Sequence, residues 1–226
     1  MASNVSALAE WPKASKRLRL SVLASGRGSN LAAILDACRQ QRLAAEVVGV
    51  FSDKARSGAI GVAEANAVPA CVVIPADYPS RDQFDAAMFA KVDATSPDLI
   101  VCAGFMRILG ADAVAPRSQR MINVHPSLLP LYPGLHTHQR ALAAGDREHG
   151  ASVHFVIPAL DAGPVIAQTR IRIEPDDSAE SLAARLLPAE HELLIATIAL
   201  FCTHQVQHAH GQVWIDDAAQ SVPRRF

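Results

Sequence analysis

Residues 18–42 read LRLSVLA (18–24), SGRGSN (25–30) and LAAILDACRQQR (31–42). The first block is short and apolar, as a buried strand is. The third places Leu31, Ile34, Leu35 and Cys38 at i, i+3, i+4 and i+7, one face of an α-helix. Between them, Gly26 and Gly28 let the backbone approach a ligand, and the helix start offers unpaired N–H groups at the positive end of its dipole. An anion fits there. Leu31 stands where a third glycine would complete a dinucleotide fingerprint, and the lysine of a P-loop is missing, so a terminal phosphate monoester suits the loop best. The same residues also suit a tight turn in which Ser29 merely caps the helix. Asp53, after the next strand, reads as a turn residue in Ser52-Asp53-Lys54.

Working outward, β-branched runs alternate with Ala-rich helical stretches, the pattern of a mostly parallel sheet covered by helices on both faces. Strands are predicted at 46–51, 70–74, 99–103 and 121–124, with helices near 58–66 and 80–95. Pro126, Pro130 and Pro133 then forbid a regular element and predict a rigid loop. Alternation returns at 151–156 and 165–173, joined by a loop or hairpin through Pro158, Leu160, Asp161 and Gly163 at the sheet edge. A last helix is expected to start near Asp177 with an Asp177/Glu180 capping box, and Pro188 is expected to kink it or end its first part. These elements predict one α/β domain over 17–215, with a flexible N-terminal arm at 1–16 and a loose tail at 216–226.

Composition narrows the partners. Half of the 226 residues are hydrophobic and 19% are charged, enough for a filled core. Lys plus Arg is 21 against 22 for Asp plus Glu, giving a net charge of −1, which removes a global electrostatic argument for nucleic acid or an anionic membrane. The four cysteines are far apart and form no CxxC pair, so they read as reduced thiols of a cytoplasmic protein. His204, His208 and His210 read as chance histidines at a solvated helix end rather than a metal site.

Two further constellations carry chemistry. Asn123 and His125 lie two apart in a strand and so share a face at its C-terminal end, where open α/β sheets bind ligands. Side by side, an amide and an imidazole can both donate to an oxygen that gains charge. Asp161 reads by itself as an Asx-turn residue; brought against His125 it would favour the imidazolium and raise its pKa.

Together, Gly26 to Leu31, Ala103 to Leu109, Asn123 to Pro130, Tyr132 to His138 and Ser152 to Val156 resemble the phosphoribosylglycinamide formyltransferases of purine biosynthesis, a likeness that covers roughly Arg19 to Ile215. The resemblance implies a Rossmann-like formyltransferase fold and formyl transfer from 10-formyltetrahydrofolate to the amine of glycinamide ribonucleotide (GAR). By position it makes Asn123, His125 and Asp161 catalytic, and places Gly28, Ser29, Asn30 and Glu190 on GAR. Arg81, Phe105, Met106, Arg107, Ile108, Leu109, Pro158 and Leu160, with Asn123 and Asp161, fall on the folate. It implies small-molecule partners alone, no metal, and a monomer or homodimer. It also implies a cis Leu129–Pro130 bond. Departures are Arg27 between the glycines, Leu131 where a basic residue is common, Ala162 for the usual glycine, and Pro188. The rivals are a formyltetrahydrofolate hydrolase or another formyltransferase of the same core, both expected to need additional domains, and a non-enzymatic nucleotide-binding module.

Overall fold

The computed structural model describes residues 17–226; the expected arm at 1–16 lies outside the described residues. In chain order the elements are β1 (Leu18–Leu23), α1 (Ser29–Arg39), β2 (Ala45–Ser52), α2 (Gly58–Ala65), β3 (Ala70–Val72), α3 (Arg81–Ala94), β4 (Leu99–Cys102), α4 (Ala111–Val114) and β5 (Met121–His125). Then follow α5 (Thr137–Ala144), β6 (Glu148–Phe155), β7 (Val165–Arg172), α6 (Ala179–Thr203), β8 (Val206–Ala209), β9 (Gln212–Ile215), β10 (Ala218–Ala219) and β11 (Arg224–Arg225). Eight strands form one sheet in the order β11-β7-β6-β5-β4-β1-β2-β3, parallel from β3 through β5, with β6 and β7 antiparallel.

The sheet divides the core. On one face Leu20, Val22, Val101 and Val153 pack with Leu31 and Ile34 of α1 and Leu186 and Leu194 of α6. On the other, Leu23, Phe51 and Ile100 pack with Phe84, Met88, Phe89 and Val92 of α3. The chain leaves β1 toward β2 and β3 on one side and returns as β4 and β5 on the other. The topological switch therefore lies between β1 and β4, and the crevice at their C-terminal ends is where such sheets bind ligands.

Three expectations are corrected. Residues 216–226 are not a loose tail: β10 pairs with β9, and β11 pairs in parallel with β7 and extends the main sheet. The last helix is capped by Ser178 and Ser181, each side chain bonded to the other's backbone N–H, while Asp177 accepts from the Ser181 hydroxyl instead of forming the box. Pro188 does not end it; α6 runs through to Thr203. One missing N–H is a local cost, and burial of Leu182, Leu186, Leu193, Leu194 and Ile198 outweighs it. The same burial explains why α6 is long and apolar enough to resemble a membrane span by composition. The Leu129–Pro130 bond is cis.

Candidate active site

Four side chains meet over the paired strands β5 and β6: Asn123 and His125 from β5, His154 from β6 and Asp161 from the loop that follows. Antiparallel register sets Asn123 opposite His154, and the Asn123 amide nitrogen lies 3.1 Å from His154 Nε2. His154 Nδ1 lies 2.8 Å from the Phe155 carbonyl. A carbonyl only accepts, so Nδ1 carries the proton. In the neutral ring Nε2 is then a bare acceptor, and the Asn123 amide must donate to it, which fixes the amide's orientation.

Asp161 arrives from the loop between β6 and β7. Gly163 makes its approach feasible, since a Cβ there would lie 1.8 Å from the Phe155 carbonyl oxygen. Asp161 itself sits in the left-handed region at φ 48°, a conformation held by its contacts. One of them is the Gly134 N–H, which donates to Oδ2 at 2.8 Å. The same Oδ2 is 3.5 Å from His125 Nδ1, and Oδ1 is 3.6 Å from His154 Nε2, with all three side chains nearly enclosed. His125 Nε2 donates to the Tyr132 carbonyl at 2.9 Å.

The electrostatics reverse one expectation. Burial pulls the His125 pKa down and outweighs the upward pulls of the Tyr132 carbonyl and the Asp161 charge, so the net shift is below the ordinary value. Asp161 does favour the imidazolium, but the enclosure costs more. Burial pushes the Asp161 carboxyl up, yet the neighbouring His154 ring, the Gly134 N–H bond and the His125 charge outweigh it and hold its pKa below the ordinary carboxylate value.

Two recesses flank this cluster. The first, with about 500 Å3 of open space, is lined by Phe105, Arg107, Ile108, Leu109, Asn123, His154, Pro158, Leu160 and Asp161, among others. The second, about 1140 Å3, is walled by Asn30, Glu190, His125, Asp161, Met106 and Leu135, among others. Leu135, Met106, Ile108 and Leu160 are 69%, 63%, 59% and 53% exposed around the lips, an apolar rim suited to a flat organic ring. Arg107, Ile108, Leu160 and Asp161 belong to both walls, so Asp161 stands where the recesses meet.

A family profile described as "Formyl transferase" matches residues 18–198. The chain belongs to the formyl transferase family. This formyl transferase is 40% identical over 199 residues to phosphoribosylglycinamide formyltransferase of Escherichia coli, covering 88% of this chain and 94% of that one. It is 44% identical over 188 residues to the enzyme of the same name from Mycobacterium tuberculosis, with 83% and 86% covered. The solved phosphoribosylglycinamide formyltransferase of Coxiella burnetii superposes with a TM-score of 0.89 at 41% identity, over 93% of this chain and all of that one.

Other sequence-predicted residues fall as follows in this formyl transferase. Gly28 (φ 83°) packs so tightly that a Cβ would lie 2.7 Å from Ala59 Cα, which seats the start of α2 against the loop. α1 has no side-chain cap, which leaves its first N–H groups without the hydroxyl partner that the tight-turn reading gave Ser29. One of the two Asn30 amide hydrogens is engaged: the nitrogen donates to Glu190 Oε1 at 2.8 Å. That bond brings Glu190 into the second recess, where burial pushes its carboxyl pKa up, against the pull of the Asn30 bond. Met106 lines the second recess rather than the first. Arg81 lines neither; it is half exposed beside Asp82. Asp53 lies in the bend after β2 but is buried. His208 is in β8, its ring 4.7 Å from that of Phe155, and His204 pairs with Asp216. His204 thus stands at the end of α6, as expected, while His208 and His210 belong to the β8–β9 hairpin.

His154 is the residue that sequence reasoning missed as part of the site. Its signal was a polar ring in a stretch, Ala151 to Val156, that is apolar but for Ser152; in the register it lies directly opposite Asn123.

Proposed function

We propose that this enzyme transfers the formyl group of 10-formyltetrahydrofolate to the amine of GAR, giving formyl-GAR and tetrahydrofolate, by direct attack through a tetrahedral intermediate. The observation that carries this reading is the Asn123–His154–Asp161–His125 cluster at the junction of two recesses. Two substrates entering from opposite sides would place amine and formyl carbon there, supplying the proximity that a bimolecular transfer needs. The family identity, and relatives named for this activity over nearly their whole length, agree with it.

The apolar first recess and the 105–109 loop take the folate ring. Asn30 and Glu190, with Gly28 and Ser29 of the Gly-rich loop, take the ribonucleotide, its phosphate set against the N-terminus of α1. When the amine attacks, negative charge gathers on the formyl oxygen. Asn123 donates to it with the amide hydrogen that His154 does not use. His125 donates through Nε2, whose present acceptor, the Tyr132 carbonyl, gives way to that oxygen. Asp161 favours His125 Nδ1 taking up the proton that the attacking nitrogen loses, and that same proton then passes to the departing folate nitrogen as the intermediate collapses. These steps use no metal. We place this soluble enzyme in the cytoplasm, with small molecules as its substrates.

The test is to mix the protein with GAR and a 10-formyl folate and follow the folate absorbance. Loss of the formyl folate only when GAR is present supports the transferase. Loss without GAR favours a hydrolase, and no loss favours a binding module.

A further inference from the structure

Two loops that carry different substrates under this functional reading meet at Ser25. One is the Gly-rich loop after β1, which leads into α1 and the ribonucleotide site. The other, residues 103–110 after β4, supplies Phe105 and Leu109 to the first recess, Met106 to the second, and Arg107 and Ile108 to both. They meet at the topological switch, on the side of the Gly-rich loop away from the start of α2. The joint is reciprocal: the Ser25 N–H donates to the Gly104 carbonyl at 3.0 Å, and the Met106 N–H donates to the Ser25 hydroxyl at 3.0 Å. Ser25 is 3% exposed, so water does not compete for these bonds. Gly104 adopts φ 75°, which turns its carbonyl and the following residues into this arrangement. The far end of the 103–110 loop is held separately, by the Gly110 N–H donating to Asp85 Oδ2 at 2.7 Å. Only the near end answers to the Gly-rich loop.

We propose that Ser25 is a positioning residue that couples the two substrate sites, so that filling the ribonucleotide site fixes the 103–110 loop in its folate-binding conformation and the reverse. The inference rests on the assignment of GAR and folate to the two recesses. The hydroxyl is the coupling atom, because it is the contact a side chain can add or remove without touching either substrate. Coupling of this kind is mutual by thermodynamic necessity: whatever factor GAR adds to folate affinity, folate adds to GAR affinity.

Calorimetric titration of the full chain tests it, with GAR and a folate analogue lacking the formyl group, each added alone and in the presence of the other at saturation. The wild type is expected to bind each ligand at least about fivefold more tightly when the other is present, within the usual range of such couplings. Ser25→Ala is expected to bind both ligands singly with the enhancement reduced to near one, and Ser25→Thr, which keeps the hydroxyl, to restore it. Should the variants fail to fold, amide exchange of the wild type decides: GAR alone is expected to slow exchange at the Met106 N–H several-fold, and unchanged exchange overturns the proposal. An undiminished enhancement in Ser25→Ala, or a wild type that binds both ligands independently, also overturns it while leaving the functional reading intact. A wild type that binds neither ligand overturns both.

Discussion

Replacing Asp161 by asparagine removes one charge and little else. The Gly134 N–H keeps an acceptor, because the asparagine carbonyl oxygen can occupy the place of Oδ2, so the loop is expected to stay in position. What disappears is the negative charge 3.5 Å from His125 Nδ1. Two unit charges at the 3.5 Å of that pair attract by roughly 5 kcal/mol at an effective dielectric of about 20. The ground state realises little of this, since burial holds His125 below its usual pKa and so largely neutral near pH 7. The transition state realises more, as the proton settles on the ring. Loss of one such stabiliser typically costs about 2.7–4 kcal/mol. We therefore expect kcat to fall by roughly 10²- to 10³-fold, with KM for both substrates within about threefold of wild type. The sign of the pH effect follows as well. Without Asp161 the His125 pKa drops further, so the acid limb, on which activity declines as the resting ring becomes imidazolium, moves to lower pH. Steady-state rates at saturating GAR and 10-formyl folate, read by folate absorbance across the pH range, measure both effects. A variant within about threefold of the wild-type kcat, or an unmoved limb, would refute the role given to this carboxylate.

Three further outcomes are expected. Glu190→Gln still accepts the Asn30 bond but lacks the acid, and should raise KM for GAR about tenfold while folate KM changes less than twofold; equal changes would place Glu190 elsewhere. Gly28→Ala sets a methyl 2.7 Å from the Ala59 backbone at a positive φ and should destabilise the fold by about 1–3 kcal/mol in urea unfolding, with a neutral result contradicting the packing. His149 is 1% exposed, and burial, helped by His138, pushes its pKa down to about 4. A base with a depressed folded pKa contributes stability above its unfolded pKa of about 6.5 and loses it as pH falls toward 4, so up to about 3 kcal/mol should vanish over that window. His149→Asn should flatten this part of the urea-unfolding pH profile; an unchanged slope would contradict the assignment.

How much of this was legible in the sequence depends on the length of the signal. β1, the Gly-rich loop and α1 were readable because a strand-period run, two glycines and a helix-period run abut within 25 residues. α4 has four residues and follows a loop shaped by tertiary bonds such as Gly110 to Asp85, so no periodicity could announce it. β11 is two arginines joined to β7 largely by main-chain hydrogen bonding, which leaves no hydrophobic trace. In the site, Asn123 and His125 were visible as neighbours, but Asp161 becomes their partner only through the close approach at Gly163, and His154 only through register. The direction of the His125 shift was not legible either. A nearby carboxylate can be guessed from sequence, whereas the degree of enclosure that opposes it is a property of the packed fold.

The central claim is that one carbon unit passes directly between two substrates held in adjoining recesses. Supplying a 10-formyl folate whose formyl carbon carries a heavy isotope, together with unlabelled GAR, and following the products by mass spectrometry tests this most directly. Direct transfer places the label in formyl-GAR, formed in equal amount to tetrahydrofolate, with none released as formate. Label appearing in formate at the same rate with or without GAR would contradict it.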